Sequence, residues 1–168
     1  MSEEQPEAGS VRMRMATRDD VPRIIQLLAD DPLGASREEY ADPLPQAYWD
    51  AWAAIEADAN QRLVVADDAG TVIGVLQLTF IPGLTRRGSW RAQVEGVRVD
   101  GSQRGLRLGE RLLTWAIDEA RARGCQLIQL TTDKQRPDAH RFYERLGFTA
   151  THEGMKLQLK PRPPSDAD

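Results

Sequence analysis

Val97 and Val99 alternate with Gly96 and Arg98, and this period of two predicts a partly buried β-strand, which we place at Trp90–Val99. The period then lengthens over Leu106–Arg123, where Leu108, Leu112 and Ala116 fall on one stripe and predict an amphipathic helix. A short stretch with recurring glycines separates the two patterns. The chain is therefore organised around a strand, a tight turn and a helix.

Further strands and helices are predicted on both sides of this unit. Helical spacing and end signals indicate one helix after Thr17, one around Trp49 and Trp52, and one over Pro137–Gly147. Alternation or short apolar runs indicate strands at Val11–Ala16, Leu63–Ala66, Val72–Phe80, Cys125–Thr131 and Met155–Leu159. The central strand, helix and next strand predict a parallel pair with a right-handed crossover, whereas the earlier strands predict an antiparallel meander. The pattern thus predicts an α/β fold with a mixed sheet.

The turn before the central helix has the features of an anion site. A helix begins with free backbone N–H groups and a partial positive charge, and both point at whatever precedes the first turn. Arg104 and Arg107 add guanidinium groups there, while Gly101, Gly105 and Gly109 recur at every fourth residue and leave the backbone open to close approach. These residues predict a phosphate-bearing ligand.

The composition narrows the classes of protein and ligand. The net charge is −4, with 40% hydrophobic and 29% charged residues, which is ordinary for a globular protein and argues against a nucleic-acid partner. No apolar run reaches membrane-spanning length and no leader pattern is visible, so we expect a cytoplasmic protein that does not bind membranes. Cys125 is the only cysteine, and His140 and His152 have no partner at metal-ligand spacing, so we expect no metal site.

A chain of 168 residues is most simply one domain, because that length buries roughly two-thirds of the unfolded surface. Residues 1–10 are rich in Glu, Ser and Pro, and residues 160–168 contain three prolines. Both compositions are typical of flexible tails. We therefore expect one domain over residues 11–159.

Two stretches of the sequence resemble one enzyme family. The stretch 104–109, Arg-Gly-Leu-Arg-Leu-Gly, resembles the acetyl-CoA signature of the GNAT N-acetyltransferase superfamily, with Arg107 in place of the first glycine of that motif. The stretch 139–148, Ala-His-Arg-Phe-Tyr-Glu-Arg-Leu-Gly-Phe, is similar to the late helix of the same family. Two motifs in the family's order are more specific than either alone.

The resemblance implies the GNAT fold, a central mixed sheet of six to seven strands flanked by about four helices. It implies an acetyltransferase in which acetyl-CoA donates its acetyl group to a primary amine of a small molecule by direct attack in a ternary complex. A homodimer is also implied. The identity of the amine acceptor stays open.

The resemblance also implies which residues bind acetyl-CoA. Backbone groups of Val97, Arg98 and Val99 would pair with pantetheine as an added strand does, and Arg136 would lie near the adenosine phosphates. The alternative for Arg136 is a solvated surface charge. Backbone N–H groups would hold the pyrophosphate along Arg104, Gly105, Leu106, Arg107, Leu108, Gly109 and Glu110.

Two side chains are candidates for proton transfer by the same resemblance. Glu95 would act as general base for the amine, directly or through water; the alternative is a surface glutamate paired with Arg91 or Arg98. Tyr143 would act as general acid for the departing thiolate. Its alternative is core packing, because Tyr143 belongs to an apolar helical stripe with Phe142.

The turn-rich region after the first helix, together with the second helix, is implied to form one wall of the acceptor pocket. Its aromatic residues, Tyr40, Tyr48, Trp49 and Trp52, are candidate lining residues. The spacing of the two tryptophans is equally typical of the core face of a helix, so both interpretations stay open.

Two other classes of function compete with an acetyltransferase. A non-catalytic acyl-CoA-binding regulatory module would keep the same cleft without turnover. A dinucleotide-binding protein would also place a glycine turn between a strand and a helix, but Gly101, Gly105 and Gly109 do not form the Gly-x-Gly-x-x-Gly spacing of that site.

Overall fold

The computed structural model of the chain describes residues 11–103 and 107–161. Three residues that the resemblance places at the pyrophosphate, Arg104, Gly105 and Leu106, lie outside the described residues. The chain divides into two compact units, residues 1–130 and residues 131–168.

The first unit contains a five-stranded sheet. Its strands are β1 (Arg12–Met15), β2 (Gln61–Asp68), β3 (Thr71–Pro82), β4 (Trp90–Val99) and β5 (Leu127–Leu130). They lie in the order β1-β2-β3-β4-β5, with the first four antiparallel and β5 parallel to β4. The predicted meander and the predicted parallel crossover are both confirmed.

Four helices and two short 3₁₀ turns connect these strands. The helices are α1 (Val21–Ala29), α2 (Gln46–Ala57), the one-turn α3 (Thr85–Gly88) and α4 (Leu108–Ala122). The 3₁₀ turns are Arg18–Asp20 and Gly101–Gln103. The Asp20 carboxylate accepts a hydrogen bond from the Thr17 backbone N–H at 2.7 Å, which holds the entry to α1 in place.

The core of this unit lies on both faces of the sheet. On one face, Ile24 and Leu27 of α1 pack against Val65 and Val75. The opposite face belongs to α4, which approaches so closely that a Cβ on Gly74 would stand 3.1 Å from the Leu112 side chain. The two helices therefore fix β3 and β4 between them.

The second unit, residues 131–168, contains α5 (Pro137–Arg145). Pro137 starts the helix, where a missing N–H costs nothing, and Gly147 follows its end with φ +93°, as the sequence predicts. The Tyr143 ring makes edge-on contacts with Phe142 at 5.2 Å and Phe148 at 5.9 Å between centroids.

The strand predicted at the end of the chain is not formed. Met155, Leu157 and Leu159 are 95%, 84% and 89% exposed, and no described strand pairs with this segment. Their alternation with Lys156 and Gln158 has the period of a strand, but a strand also needs a neighbour to complete its hydrogen bonds. The described residues therefore form five strands rather than six to seven, whereas the number of their helices is close to the four that the resemblance implies.

Candidate active site

A β-bulge interrupts β4 between Glu95 and Arg98. Gln77 of β3 lies opposite Glu95 of β4, and Val75 of β3 lies opposite Arg98 of β4. Two steps along β3 therefore correspond to three steps along β4. The extra residue sits in β4, where Gly96 adopts a positive φ of 61°. Glycine takes this left-handed conformation without the steric cost that a side chain adds.

The bulge decides which face of the sheet two charged side chains reach. Residues three apart in a regular strand point to opposite faces. Because the bulge adds one residue, Glu95 and Arg98 both lie on the face covered by α1, together with their partners Gln77 and Val75. A carboxylate and a guanidinium thus share one side of the strand.

The β5 edge of β4 is open beyond Val94. The parallel pairing of the two strands ends where Val94 lies opposite Leu130, the last residue of β5. No described strand pairs with Glu95–Val99 on this side. An exposed strand edge offers backbone donors and acceptors to an extended ligand. Three backbone candidates for pantetheine, Val97, Arg98 and Val99, lie on this open segment.

Arg98 ties the open segment to the loop that follows α1. Its guanidinium contacts the Asp31 carboxylate at 2.8 Å and donates to the Val97 carbonyl at 2.7 Å. The two side chains are only 23% and 12% exposed, so solvent screens this pair less than a surface pair. Asp31 also accepts from the Leu33 N–H at 2.8 Å, which folds the start of the loop. The pair therefore joins the loop to β4.

Glu95 is exposed and forms no ion pair within residues 11–103 and 107–161. The alternative that paired it with Arg98 does not hold, because Arg98 is paired with Asp31. An exposed carboxylate beside an open strand edge can accept a proton from a bound amine.

The turn after β4 is built around Asp100. Its carboxylate accepts from the Ser102 N–H at 2.9 Å and the Ser102 hydroxyl at 2.7 Å, and it also pairs with Arg23 of α1. The Ser102 hydroxyl bond, followed by the Ser102 N–H bond, lowers the pKa of Asp100 below its usual value. The turn that leads toward the predicted phosphate site is therefore anchored to α1.

Arg107 directly precedes α4 and has φ 53° and ψ 28°, a left-handed conformation. Its guanidinium lies 3.1 Å from Glu110, and its side chain is 80% exposed. This is the position at which the acetyl-CoA signature has glycine, and the conformation explains that preference. The Leu108 side chain is buried, and Gly109 and Glu110 follow it in the first turn of α4.

The aromatic residues predicted to line the acceptor pocket have different surroundings. Trp52 is 7% exposed and packs in the core, which supports the core interpretation for this residue. Trp49 lies 4.4 Å from the Arg18 guanidinium. The Tyr48 hydroxyl bonds to the loop that precedes α2, and burial raises its pKa. Tyr40 is 46% exposed and lines a cavity of about 320 Å³ with Arg23.

Two predicted site residues belong to the second unit. Tyr143 lies in α5 between two aromatic rings, as described above. Arg136 directly precedes α5, and its backbone N–H donates to the Asp133 carbonyl at 3.0 Å. The assignments of Tyr143 and Arg136 to catalysis and adenosine binding stay predictions.

Comparison with known proteins identifies the family. The sequence profile of the Acetyltransferase (GNAT) family matches residues 21–148 of the chain. The chain belongs to this family. The match covers the bulged strand, the helix after it and the late helix, and the five-stranded mixed sheet agrees with the fold of GNAT structures.

Similarity to individual GNAT proteins extends along most of the chain. The chain is 33% identical to an aminoalkylphosphonate N-acetyltransferase of Salmonella typhimurium, over 83% of this chain and 86% of that protein. It is 36% identical to a glucosamine 6-phosphate N-acetyltransferase of Trypanosoma brucei brucei, over 54% and 59% of the two chains. The chain is 52% identical to a transcriptional regulator from Bacillus halodurans C-125 with a known crystal structure. The two structures align with a TM-score of 0.87, over 89% of this chain and 99% of that chain. The family profile and the two N-acetyltransferase relatives therefore indicate an acetyl-CoA-dependent acetyltransferase.

Sequence reasoning missed the partners of Arg98 and of the turn after β4. Asp31, Arg23 and Asp100 were not singled out, although Asp31 before a proline and Asp100 before Gly-Ser are both turn signals. Such signals predict a turn, but they do not predict which distant guanidinium the carboxylate will meet.

No helix in the part of the chain that the structure describes is long and apolar enough to cross a membrane. No group of three or more His, Cys, Asp or Glu side chains in residues 11–103 and 107–161 is arranged to hold a metal ion.

Proposed function

We propose that the chain transfers the acetyl group of acetyl-CoA to the primary amine of a small molecule by direct attack. The observation that supports this most is the open, bulged segment Glu95–Val99, which combines a free strand edge with an exposed carboxylate. The family membership supplies the reaction class, and the segment supplies a place for it.

In this proposal the backbone of Val97, Arg98 and Val99 pairs with pantetheine and presents the thioester to the amine. Glu95 removes the proton that the ammonium must lose before its nitrogen can attack. The carbon–nitrogen bond then forms and the carbon–sulfur bond breaks. The nitrogen releases a second proton to solvent as it becomes an amide nitrogen, and the thiolate takes up a proton. By resemblance to the family, that proton comes from the Tyr143 hydroxyl, and Arg136 contacts the adenosine phosphates.

The names of two relatives support an acceptor that carries both an amine and a phosphorus oxyanion. One acts on aminoalkylphosphonates and the other on glucosamine 6-phosphate. We infer that the acceptor of this chain belongs to the same chemical class.

The family resemblance also leads us to expect a homodimer in the cytoplasm, and light scattering during size-exclusion chromatography would report the oligomeric state.

The proposed role of Glu95 is tested by replacing it with glutamine. With an accepted amine, Glu95→Gln should lower kcat by about 100-fold or more, the usual worth of a general base, and should leave acetyl-CoA affinity unchanged. The assay follows release of free CoA, with mass spectrometry of the acetylated amine. Glu56→Gln, on an exposed position of α2, is the matched control. An unchanged kcat in Glu95→Gln would remove Glu95 from the mechanism.

The second candidate is a regulatory module that binds acyl-CoA without turning it over. The description of the Bacillus halodurans protein as a transcriptional regulator favours this alternative. It predicts acetyl-CoA binding but no CoA release with any amine, so the same assay separates the two candidates.

A further inference from the structure

Four glutamines and one threonine form a polar patch beside Glu95 on one face of the sheet. We call this patch the amide ladder; its members are Gln61, Gln77, Thr79, Gln93 and Gln129. Resting on the proposed acetyl transfer, we propose that the amide ladder binds the hydroxyl groups of the acceptor, while Glu95 receives its amine and Arg91 its phosphate. The ladder thereby selects an acceptor that carries an amine, hydroxyl groups and a phosphate. Hexosamine phosphates form this chemical class.

The strand register places all these side chains on one face of the sheet. Gln61 lies opposite Thr79, Thr79 opposite Gln93, and Gln93 opposite Gln129. Directly opposite residues of paired strands share a face, and so do residues two apart on one strand. Gln77 and Glu95 also lie opposite each other, so the ladder runs across four strands and reaches Glu95.

Hydrogen bonds between the side chains join the ladder residues in two groups. Gln61 Oε1 accepts from Gln77 Nε2 and from the Thr79 hydroxyl, both at 3.0 Å. Gln93 Oε1 accepts from Gln129 Nε2 at 2.7 Å. Each amide has two donor hydrogens and two acceptor lone pairs, so Gln61 Nε2, Gln77 Oε1 and Gln129 Oε1 keep capacity for a ligand among the described residues.

The ladder differs from the rest of the sheet in both polarity and exposure. Leu76, Leu78, Ala92 and Val94 lie on the opposite face and are 3% exposed or less. The ladder residues are half-buried, with Gln129 exposed, so the surface is accessible without being fully solvated. Neutral amides with fixed partners suit hydroxyl groups, which both donate and accept hydrogen bonds.

Charge changes sign along β4 across the ladder. Glu95, Gln93 and Arg91 are two residues apart, so their side chains follow one another on the same face. Arg91 is half-buried and forms no ion pair with any residue that the structure describes. A carboxylate at one end and an unpaired guanidinium at the other are complementary to an amine and a phosphate joined by a polar body.

The length of this array favours one of the two acceptor types suggested by the relatives. The Cα atoms of Glu95 and Arg91 are separated by four residues of extended strand, about 13 Å. A two-carbon aminoalkylphosphonate joins its charges by a short chain without hydroxyl groups. A hexosamine phosphate spans further and offers hydroxyl groups to the amides between the charged ends.

Steady-state kinetics with three probes test this assignment. The probes are glucosamine 6-phosphate, glucosamine and 2-aminoethylphosphonate. Arg91→Gln should raise KM for glucosamine 6-phosphate about tenfold or more, with little change in kcat, and should erase its advantage over glucosamine. Gln93→Met should raise KM for both hydroxylated amines and leave 2-aminoethylphosphonate unaffected. Arg121→Gln, exposed on α4, is the control.

Side-chain NH₂ signals in nitrogen–proton NMR spectra give a second readout that does not depend on turnover. Adding glucosamine 6-phosphate should shift the signals of Gln77, Gln93 and Gln129, but not that of Gln46 on α2. If the NMR signals shift but no amine leads to CoA release, the proposed acetyl transfer is contradicted while the assignment of the ladder as a binding surface is supported. The assignment of the ladder would be overturned if Arg91→Gln and Gln93→Met left KM for glucosamine 6-phosphate unchanged. It would also be overturned if the NMR signals shifted with protein concentration and not with added glucosamine 6-phosphate.

Discussion

At the scale of single residues, Arg107 shows how a departure from a motif can carry a structural cost. A non-glycine residue in the left-handed region is less stable than glycine by about 1–2 kcal/mol. Its exposed contact with Glu110 contributes about 1 kcal/mol or less. We therefore expect Arg107→Gly to stabilise the fold by up to about 1 kcal/mol, measured by urea unfolding.

The control for this prediction is the same substitution at a helical position. Arg121 also lies on α4 and also pairs with an acidic residue three positions away. Glycine there should destabilise by up to about 1 kcal/mol, since it loosens a regular helix. Equal effects at the two positions would show that the conformation of Arg107 does not carry strain.

Asp67 provides a residue-scale prediction about pH. It is 2% exposed and accepts from Arg14 Nε at 2.5 Å and from the Gly70 N–H at 2.6 Å. The Arg14 bond, followed by the Gly70 bond, lowers the pKa of Asp67 below its ordinary value of 3.8. A carboxyl with a depressed folded pKa stabilises the protein above its unfolded pKa, and that stability is lost as pH falls through the folded pKa.

We therefore expect the free energy of unfolding to decline as pH falls below about 4, and Asp67→Asn to flatten this decline and lower stability at neutral pH. Urea unfolding between about pH 7 and pH 3 measures both effects. Asp118→Asn, on an exposed part of α4, serves as control. A steep acid decline that persists in Asp67→Asn would assign the loss to other groups.

At the scale of secondary-structure elements, the bulge in β4 determines the site. The sequence predicts the strand over Trp90–Val99 with correct bounds, and it places Glu95 on that strand. It does not predict the bulge, because a glycine in a strand is compatible with a bulge, a weak position or a close contact. The shared face of Glu95 and Arg98 therefore emerges only from the observed register.

Replacing Gly96 tests the bulge. A Cβ there would meet only the Leu28 side chain at 3.8 Å, an ordinary contact, so the cost of Gly96→Ala comes from its φ of 61°. We expect a loss of about 1 kcal/mol in stability and a lower kcat, because the strand then relaxes and turns Glu95. Gly154→Ala has open space around its Cβ and should leave both quantities nearly unchanged. A fully active, equally stable Gly96→Ala would argue against the bulge as a requirement.

At the scale of the whole molecule, the sequence predicted the family, the mixed sheet and the parallel crossover. Each of these depends on local periods or on motifs whose residues are adjacent in sequence. The last strand failed because Met155, Leu157 and Leu159 have the right alternation, while pairing depends on a distant neighbour. Asp31 was missed for the same reason, since its contact with Arg98 joins distant parts of the chain.

In the proposed complex of the whole molecule with acetyl-CoA, the open edge of β4 receives the donor. Residue-resolved amide hydrogen exchange, with and without saturating acetyl-CoA, tests it most directly. We expect exchange to slow within Glu95–Val99, while Ala92 and Val94, in the part of β4 already paired on both sides, change little. Binding of acetyl-CoA that leaves exchange within Glu95–Val99 unaltered would contradict this placement of the donor.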